Sequence, residues 1–266
     1  FRTHRIIAGG CEPGLIFESS RTTSEIPGRH FLADPGLYEL SLVKSFSFFY
    51  GDPSQYCILG LLPSYSERKN SSLVYMVDQL IRLSRNPHSR FCMDQMSSLA
   101  KKLKSLDKKK QPVILIGISS ALMDLAAIDI YHLRNTIIME TGGMKGRRKE
   151  ITREEMHQYF CSRFGTGPVH SEYGMTELLS QAYSQGEGIF YSPPWMKVLL
   201  RDIYDPLSYP AASRTGAINI IDLANIYSCS FIETKDIGQS LPDGGFKVLG
   251  RLDNSELRGC NLLLAD

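Results

Sequence analysis

At 266 residues the chain has room for one large or two small domains, taking about 150 residues per domain. Its 30 Lys and Arg against 28 Asp and Glu leave a net charge of +2, without the local cationic excess that nucleic-acid phosphates demand. The 42% hydrophobic and 22% charged content describes a folded globular protein, and no apolar run approaches the roughly 18 residues of a membrane span.

The sequence opens on Phe1 and closes soon after Leu262-Leu263-Leu264, which reads as the edges of a longer sequence. Cysteines stand at 11, 57, 92, 161, 229 and 260 with no C-x-x-C pair, so zinc spacing and a dense secreted disulfide framework are not expected. A reduced cytoplasmic protein, its thiols mostly small core residues, is the better fit.

In chain order, Leu15-Ile16-Phe17 forms a short apolar run before the polar turn 19–24. Asp34 followed by Pro35 predicts an N-cap and first helical residue, opening a helix toward Tyr50. Residues 56–62 are a continuous apolar run stopped by Pro63, as in a buried parallel strand. Leu73, Met76, Val77, Leu80 and Ile81 fall on one helical face, and Met96, Leu99, Ala100, Leu103 and Leu106 on another. The lysines at 101, 102, 104, 108, 109 and 110 read as a solvated face at that helix's C-terminus. Residues 113–118 predict a strand, a helix follows from about Ser120, and 136–139 predict a further strand. Thr152 and Glu155 form a capping box for a helix ending at Gly165. This rhythm predicts an α/β fold with a parallel sheet covered by helices. Short strands at 197–200, 217–221, 230–234 and 246–249, parted by Pro, Gly and Asp turns, make the second half β-rich.

Several stretches carry chemistry. Ser19-Ser20-Arg21-Thr22-Thr23-Ser24 is a hydroxyl-rich turn after a strand, suited to phosphate or simply polar. Gly117-Ile118-Ser119 has a nucleophile-elbow outline, but the second glycine is missing and no histidine follows His170. Thr141-Gly142-Gly143 with the cations 145–148 allows close approach of a flat ligand, or forms a surface loop. Glu172-Tyr173-Gly174-Met175-Thr176-Glu177 packs a ring, a hydroxyl and a carboxylate suited to a hard cation into one turn. Asp236 and the strand-end Arg251 of Gly250-Arg251-Leu252-Asp253 complete a nucleotide inventory.

In order and spacing these pieces resemble the adenylate-forming superfamily of acyl- and aryl-CoA synthetases and luciferases. Arg258-Gly259-Cys260-Asn261 is similar to the Arg-Gly-x-Asn of phenylacetate-CoA ligases. Residues 17–30, Pro63-Ser64-Tyr65 and residues 70–75 look like the acyl-protein synthetases (fatty-acid–luciferin-component ligases) of bacterial luminescence. The resemblance implies a large N-terminal body, with 1–178 an α/β acyl- and nucleotide-binding portion and 179–252 a β-rich portion of the same body. Residues 253–266 would be a hinge and the start of a C-terminal lid.

The resemblance further implies that ATP activates a fatty acid or other small carboxylic acid as an acyl-adenylate, and that the acyl group then passes to a thiol. Ser19, Ser20, Thr22 and Thr23 would serve phosphate, Gly142, Gly143, Tyr173 and Gly174 adenine, and Asp236 and Arg251 the ribose or phosphate side. Thr176 and Glu177 would act in catalysis, with Glu177 the Mg²⁺ ligand. Cys260 would be the acyl-accepting thiol, ahead of an acceptor or reductase protein. An acyl-CoA ligase and a non-catalytic module presenting a bound adenylate to a partner are the alternatives. Arg21 and Ser24 stand where the family's phosphate loop has glycines, and no residue matches its lid lysine by position.

Overall fold

The structure is a computed structural model describing residues 1–19, 27–64, 66–142, 151–205, 207–209 and 215–252. Ser20, Arg21, Thr22, Thr23, Ser24, Tyr65, Gly143, Asp253 and Cys260 therefore lie outside the described residues.

Strands β1 (Leu15–Glu18) and β2 (Arg29–Leu32) pair antiparallel as a separate two-stranded sheet. The hydroxyl-rich segment thus joins the arms of a hairpin, and the first apolar run does not enter the parallel sheet. Helix α1 (Pro35–Tyr50) starts where the cap chemistry predicts: the Asp34 carboxylate accepts from the amides of Gly36 (2.9 Å) and Leu37 (3.3 Å), with Pro35 leading the helix. Next come β3 (Cys57–Leu61), α2 (Ser72–Ser84) capped by Ser71, the two-residue β4 (Arg90–Phe91) and α3 (Met96–Lys108). Strand β5 (Val113–Ile118), α4 (Ser119–Ile128) and β6 (Thr136–Thr141) follow. Both halves of the Thr152–Glu155 capping box open α5 (Arg153–Phe164), and Gly165 ends it in the left-handed region (φ 67°).

Strands β7 (His170–Tyr173) and β8 (Ala182–Ser184) complete a six-stranded sheet of order β4-β3-β5-β6-β7-β8, parallel except for β8. Period-two alternation sends Ile58 and Leu62 toward α1 and α2, and Cys57, Leu59 and Leu61 toward α3, α4 and α5. Each buried Leu or Ile among these contributes about 1.5–3 kcal/mol, so β3 is held from both faces. Strands β9 (Ile189–Phe190), β10 (Met196–Arg201), β11 (Thr215–Asp222), β12 (Phe231–Ser240) and β13 (Phe246–Arg251) form an antiparallel sheet of order β10-β11-β12-β13-β9. Strand β12 runs on to Ser240, well past the predicted end at 234, because a register shift between Ile237 and Gly238 lets it keep pairing with β13.

The lysine face is solvated: Lys101, Lys108, Lys109 and Lys110 are exposed, Lys104 pairs with Asp129 (2.5 Å), and Lys102 reaches His88 Nδ1 (3.0 Å). The thiols depart from expectation. Of the described cysteines only Cys57 and Cys92 are buried; Cys11, Cys161 and Cys229 are half-buried. Cys57 sits inside the sheet, whereas Cys11 and Cys229 lie in irregular segments at the surface. Among the described residues no helix is long and apolar enough to cross a membrane.

Candidate active site

The C-terminal ends of β6 and β7 bring the motifs together. Parallel register sets Thr141 beside Glu172, so Gly142 follows next to Tyr173. Gly142 takes φ 71°, and a Cβ there would meet nothing within 4 Å. Its backbone therefore borders open space with a conformation that favours glycine. Ser119 Oγ donates to the Gly142 carbonyl (2.7 Å) and lies 3.2 Å from Glu140. Ser119 is thus a buried brace for the Gly142 turn rather than a nucleophile, and the residue beside its carboxylate partner is Arg153 (3.2 Å) with His157 (3.6 Å).

Tyr173 is only 9% exposed, its ring packed edgewise on Phe190 (5.9 Å) and Phe246 (5.8 Å). Its hydroxyl donates to Asp236 Oδ2 (2.8 Å), and Asp236 Oδ1 lies 3.9 Å from Arg251 Nε. Asp236 and Arg251 face one another across the β12–β13 ladder. Three predicted residues from the two larger sheets thereby form one row, joined by a hydrogen bond and an ion pair. Burial, and then the neighbouring Asp236 charge, raise the Tyr173 hydroxyl well above its usual pKa, so it stays a proton donor.

Glu177 sits against the foot of the β1–β2 hairpin. A Cβ on Gly28 would lie 3.0 Å from Glu177 Oε1 and 3.3 Å from Ser19 Oγ. Ser19 and Gly28 bridge the hairpin, Ser19 N–H to the Gly28 carbonyl (2.9 Å) and Gly28 N–H to Ser19 Oγ (2.8 Å). The hydroxyl-rich segment thus begins beside the Glu177 carboxylate. Burial raises the Glu177 pKa, while Arg251 and Arg2 are among the groups that oppose the rise. Gly174 lies close to its neighbour: a Cβ there would fall 2.5 Å from Glu172 Oε1, so the Glu172 carboxyl would have to move.

Glu172 itself is buried, accepts from the Thr141 hydroxyl (2.6 Å), and has its pKa pushed up to about 7 by burial. No sequence motif singled out its carboxyl, nor His30 and Asn225. His30 Nδ1 lies 2.8 Å from the Thr176 carbonyl, and Asn225 Nδ2 donates to the Glu177 carbonyl (2.8 Å). Asp222, fully buried, accepts from the amides of Leu179 (2.8 Å) and Ser180 (3.0 Å) just beyond. His30 stands in the four-residue strand Arg29–Leu32, too short to show a pattern, so only its contacts bring it to this turn.

Among the described residues no group of three His, Cys, Asp or Glu side chains converges as a metal cage. Glu177 as a lone carboxylate suits a hard divalent cation only as one oxygen ligand among others.

No family model and no curated protein matches the sequence. Solved structures do match the fold. ATP-bound MatB from Rhodopseudomonas palustris superposes with a TM-score of 0.64 at 14% identity, over 89% of this chain and 47% of that one. A long-chain-fatty-acid-CoA ligase, FadD1, from Archaeoglobus fulgidus gives 0.65 at 14% identity, over 91% and 52%. The luciferase-like enzyme from the nonluminescent mealworm Zophobas morio gives 0.65 at 15%, over 91% and 58%. The fold is that of the N-terminal domain of adenylate-forming enzymes. The chain spans about half the length of these structures.

Proposed function

We propose that this chain is the nucleotide-binding body of an adenylate-forming acid–thiol ligase of the acyl-protein synthetase type, with a fatty acid as substrate. The observation that carries the reading is the convergence of Gly142, the Tyr173–Asp236–Arg251 row and Glu177 at the strand ends, beside the start of the hydroxyl-rich segment. Ligands in open α/β sheets bind outside the carboxyl ends of the strands.

In this reading Gly142 and Gly143 border the adenine, with Tyr173 and Gly174 beside them. Asp236 accepts from the ribose hydroxyls, with Tyr173 and Arg251 fixing its carboxylate. Ser19, Ser20, Thr22, Thr23 and Thr176 offer hydroxyl donors to the phosphates. A fatty carboxylate oxygen attacks the α-phosphorus of ATP, forming the acyl–phosphate bond as pyrophosphate leaves. A thiolate then attacks the acyl carbon and AMP departs. The barrier in the first half lies in bringing two anions together, which aligned donors and cations offset. Mg²⁺, when bound with the nucleotide, supplies charge neutralisation at the phosphates, and Glu177 is the residue that would hold it. Burial disfavours a bare Glu177 carboxylate, and a neighbouring cation would restore its ionised form.

Cys260 is the proposed thiol, followed by a reductase or other acceptor; transfer to CoA is the alternative acceptor chemistry. The replacements Arg21 and Ser24 favour a second reading, a binding module that retains an adenylate without turnover. Fatty-acid-dependent exchange of labelled pyrophosphate into ATP by the full-length protein separates these. The ligase reading predicts exchange that requires both acid and magnesium; tight ATP binding with no exchange would establish the module instead.

A further inference from the structure

Two residues far apart in sequence grip the turn carrying Thr176 and Glu177. His30, fully buried on β2, points Nδ1 at the Thr176 carbonyl (2.8 Å) and Nε2 at Asn225 Oδ1 (3.2 Å). Asn225, buried in the turn after β11, points Nδ2 at the carbonyls of Glu177 (2.8 Å) and Cys229 (3.0 Å). Carbonyls only accept, so the Asn225 amide is oriented by its partners and Oδ1 must face the ring. The Thr176 carbonyl only accepts, so Nδ1 carries the proton of a neutral ring, and Nε2 then faces Asn225 Oδ1 without donating to it. Burial, the largest influence, holds the His30 pKa below its ordinary value; the Phe1 amino group acts the same way, and the Thr176 and Asn225 bonds and the Asp222 charge oppose it.

The turn lies between β7 and β8, outside any helix or strand, with Leu178 N–H to the Met175 carbonyl (3.2 Å) as its own backbone bond. Side chains must therefore set the orientation of its peptide planes. We propose that His30 and Asn225 are positioning residues that hold two consecutive carbonyls and thereby fix the turn that carries Thr176 and sets the Glu177 carboxylate beside Ser19 and Gly28 of the β1–β2 hairpin. This rests on the reading that the turn handles the nucleotide. Rotation of either peptide would move those side chains by an ångström or more, a misplacement that can cost about 10²-fold in rate.

The variants separate donation from packing. Asn carries its amide nitrogen as many bonds from Cα as the histidine Nδ1, and Gln matches Nε2. His30→Asn therefore keeps the Thr176 bond despite its smaller volume, whereas His30→Gln does not. Asn225→Asp keeps shape but removes both donors. Exchange of the Leu178 amide, followed by NMR, and ATP affinity by calorimetry are measured on the full chain for all three. His30→Asn should exchange within about threefold of wild type, while His30→Gln and Asn225→Asp exchange at least tenfold faster and bind ATP at least tenfold more weakly. Equal exchange in His30→Asn and His30→Gln would overturn the proposal. So would wild-type exchange in Asn225→Asp, or faster exchange with unchanged ATP affinity. If Asn225→Asp does not fold, the two His30 variants decide alone. If wild type binds no ATP, the nucleotide reading falls, and the exchange pattern still decides whether the two carbonyls are held.

Discussion

Glu172 shows how one side chain couples the site to pH. Its carboxyl faces the helix α1 side of the sheet, among the buried tyrosines Tyr38, Tyr50 and Tyr183, and the Thr141 hydroxyl is the donor that reaches it. Burial raises its pKa from an ordinary 4.5 to about 7, so the folded state binds a proton that the unfolded chain releases. The sign follows from linkage: this contribution to stability is complete below about pH 4.5 and is lost as pH rises through about 7. At 1.36 kcal/mol per unit the loss is about 3 kcal/mol. Glu172→Gln keeps an acceptor for Thr141 without titrating. Urea midpoints should fall between pH 5.5 and 8 in the wild type and change much less in the variant; parallel slopes would exclude Glu172 as the source. Gly174 belongs to the same contact, since any side chain there meets the Glu172 oxygen.

Among the elements, the β12–β13 pairing does most to place site residues, since it sets Asp236 opposite Arg251. Gly238, two residues on, lies against β11 and β13. A Cβ there would sit 2.7 Å from both Ile218 Cδ1 and the Lys247 carbonyl oxygen. A side chain can turn aside, but a backbone carbonyl in a ladder cannot without breaking register. Gly238→Ala should therefore cost about 1–3 kcal/mol in stability, the usual range for overpacking, and shift Asp236 relative to Arg251. Denaturation midpoints and the Asp236 and Arg251 NMR signals check both; an unchanged midpoint would show that the strands separate freely here. The elements were legible in unequal measure. Helix α1 could be read from Asp34-Pro35, α5 from Thr152 and Glu155, and β3 and β5 from apolar runs too short for helices. Strands β4, β8 and β9 were not, since two or three residues cannot show a period. The β1–β2 pairing depends on a contact between segments, which no local pattern encodes.

For the whole molecule, the site joins segments from nearly the full described length. Ser19 and Gly28 lie on the hairpin, Gly142 and Tyr173 on the parallel sheet, and Asp236 and Arg251 on the antiparallel one. The motif residues could be singled out because each type has a chemical use, and the structure sets several of them side by side. The Tyr173–Asp236 bond, spanning 63 residues, needed the fold to be seen. His30 and Asn225 stayed hidden because they contact backbone carbonyls, which carry no residue type for a sequence pattern to match. The central claim is that these segments make a nucleotide site with Asp236 at its ribose end. Calorimetric titration of the full-length protein with ATP, in the wild type and in Asp236→Ala, tests it most directly. The account predicts saturable one-to-one binding by the wild type and at least tenfold weaker binding by the variant. No binding, or equal affinity in both proteins, would contradict it.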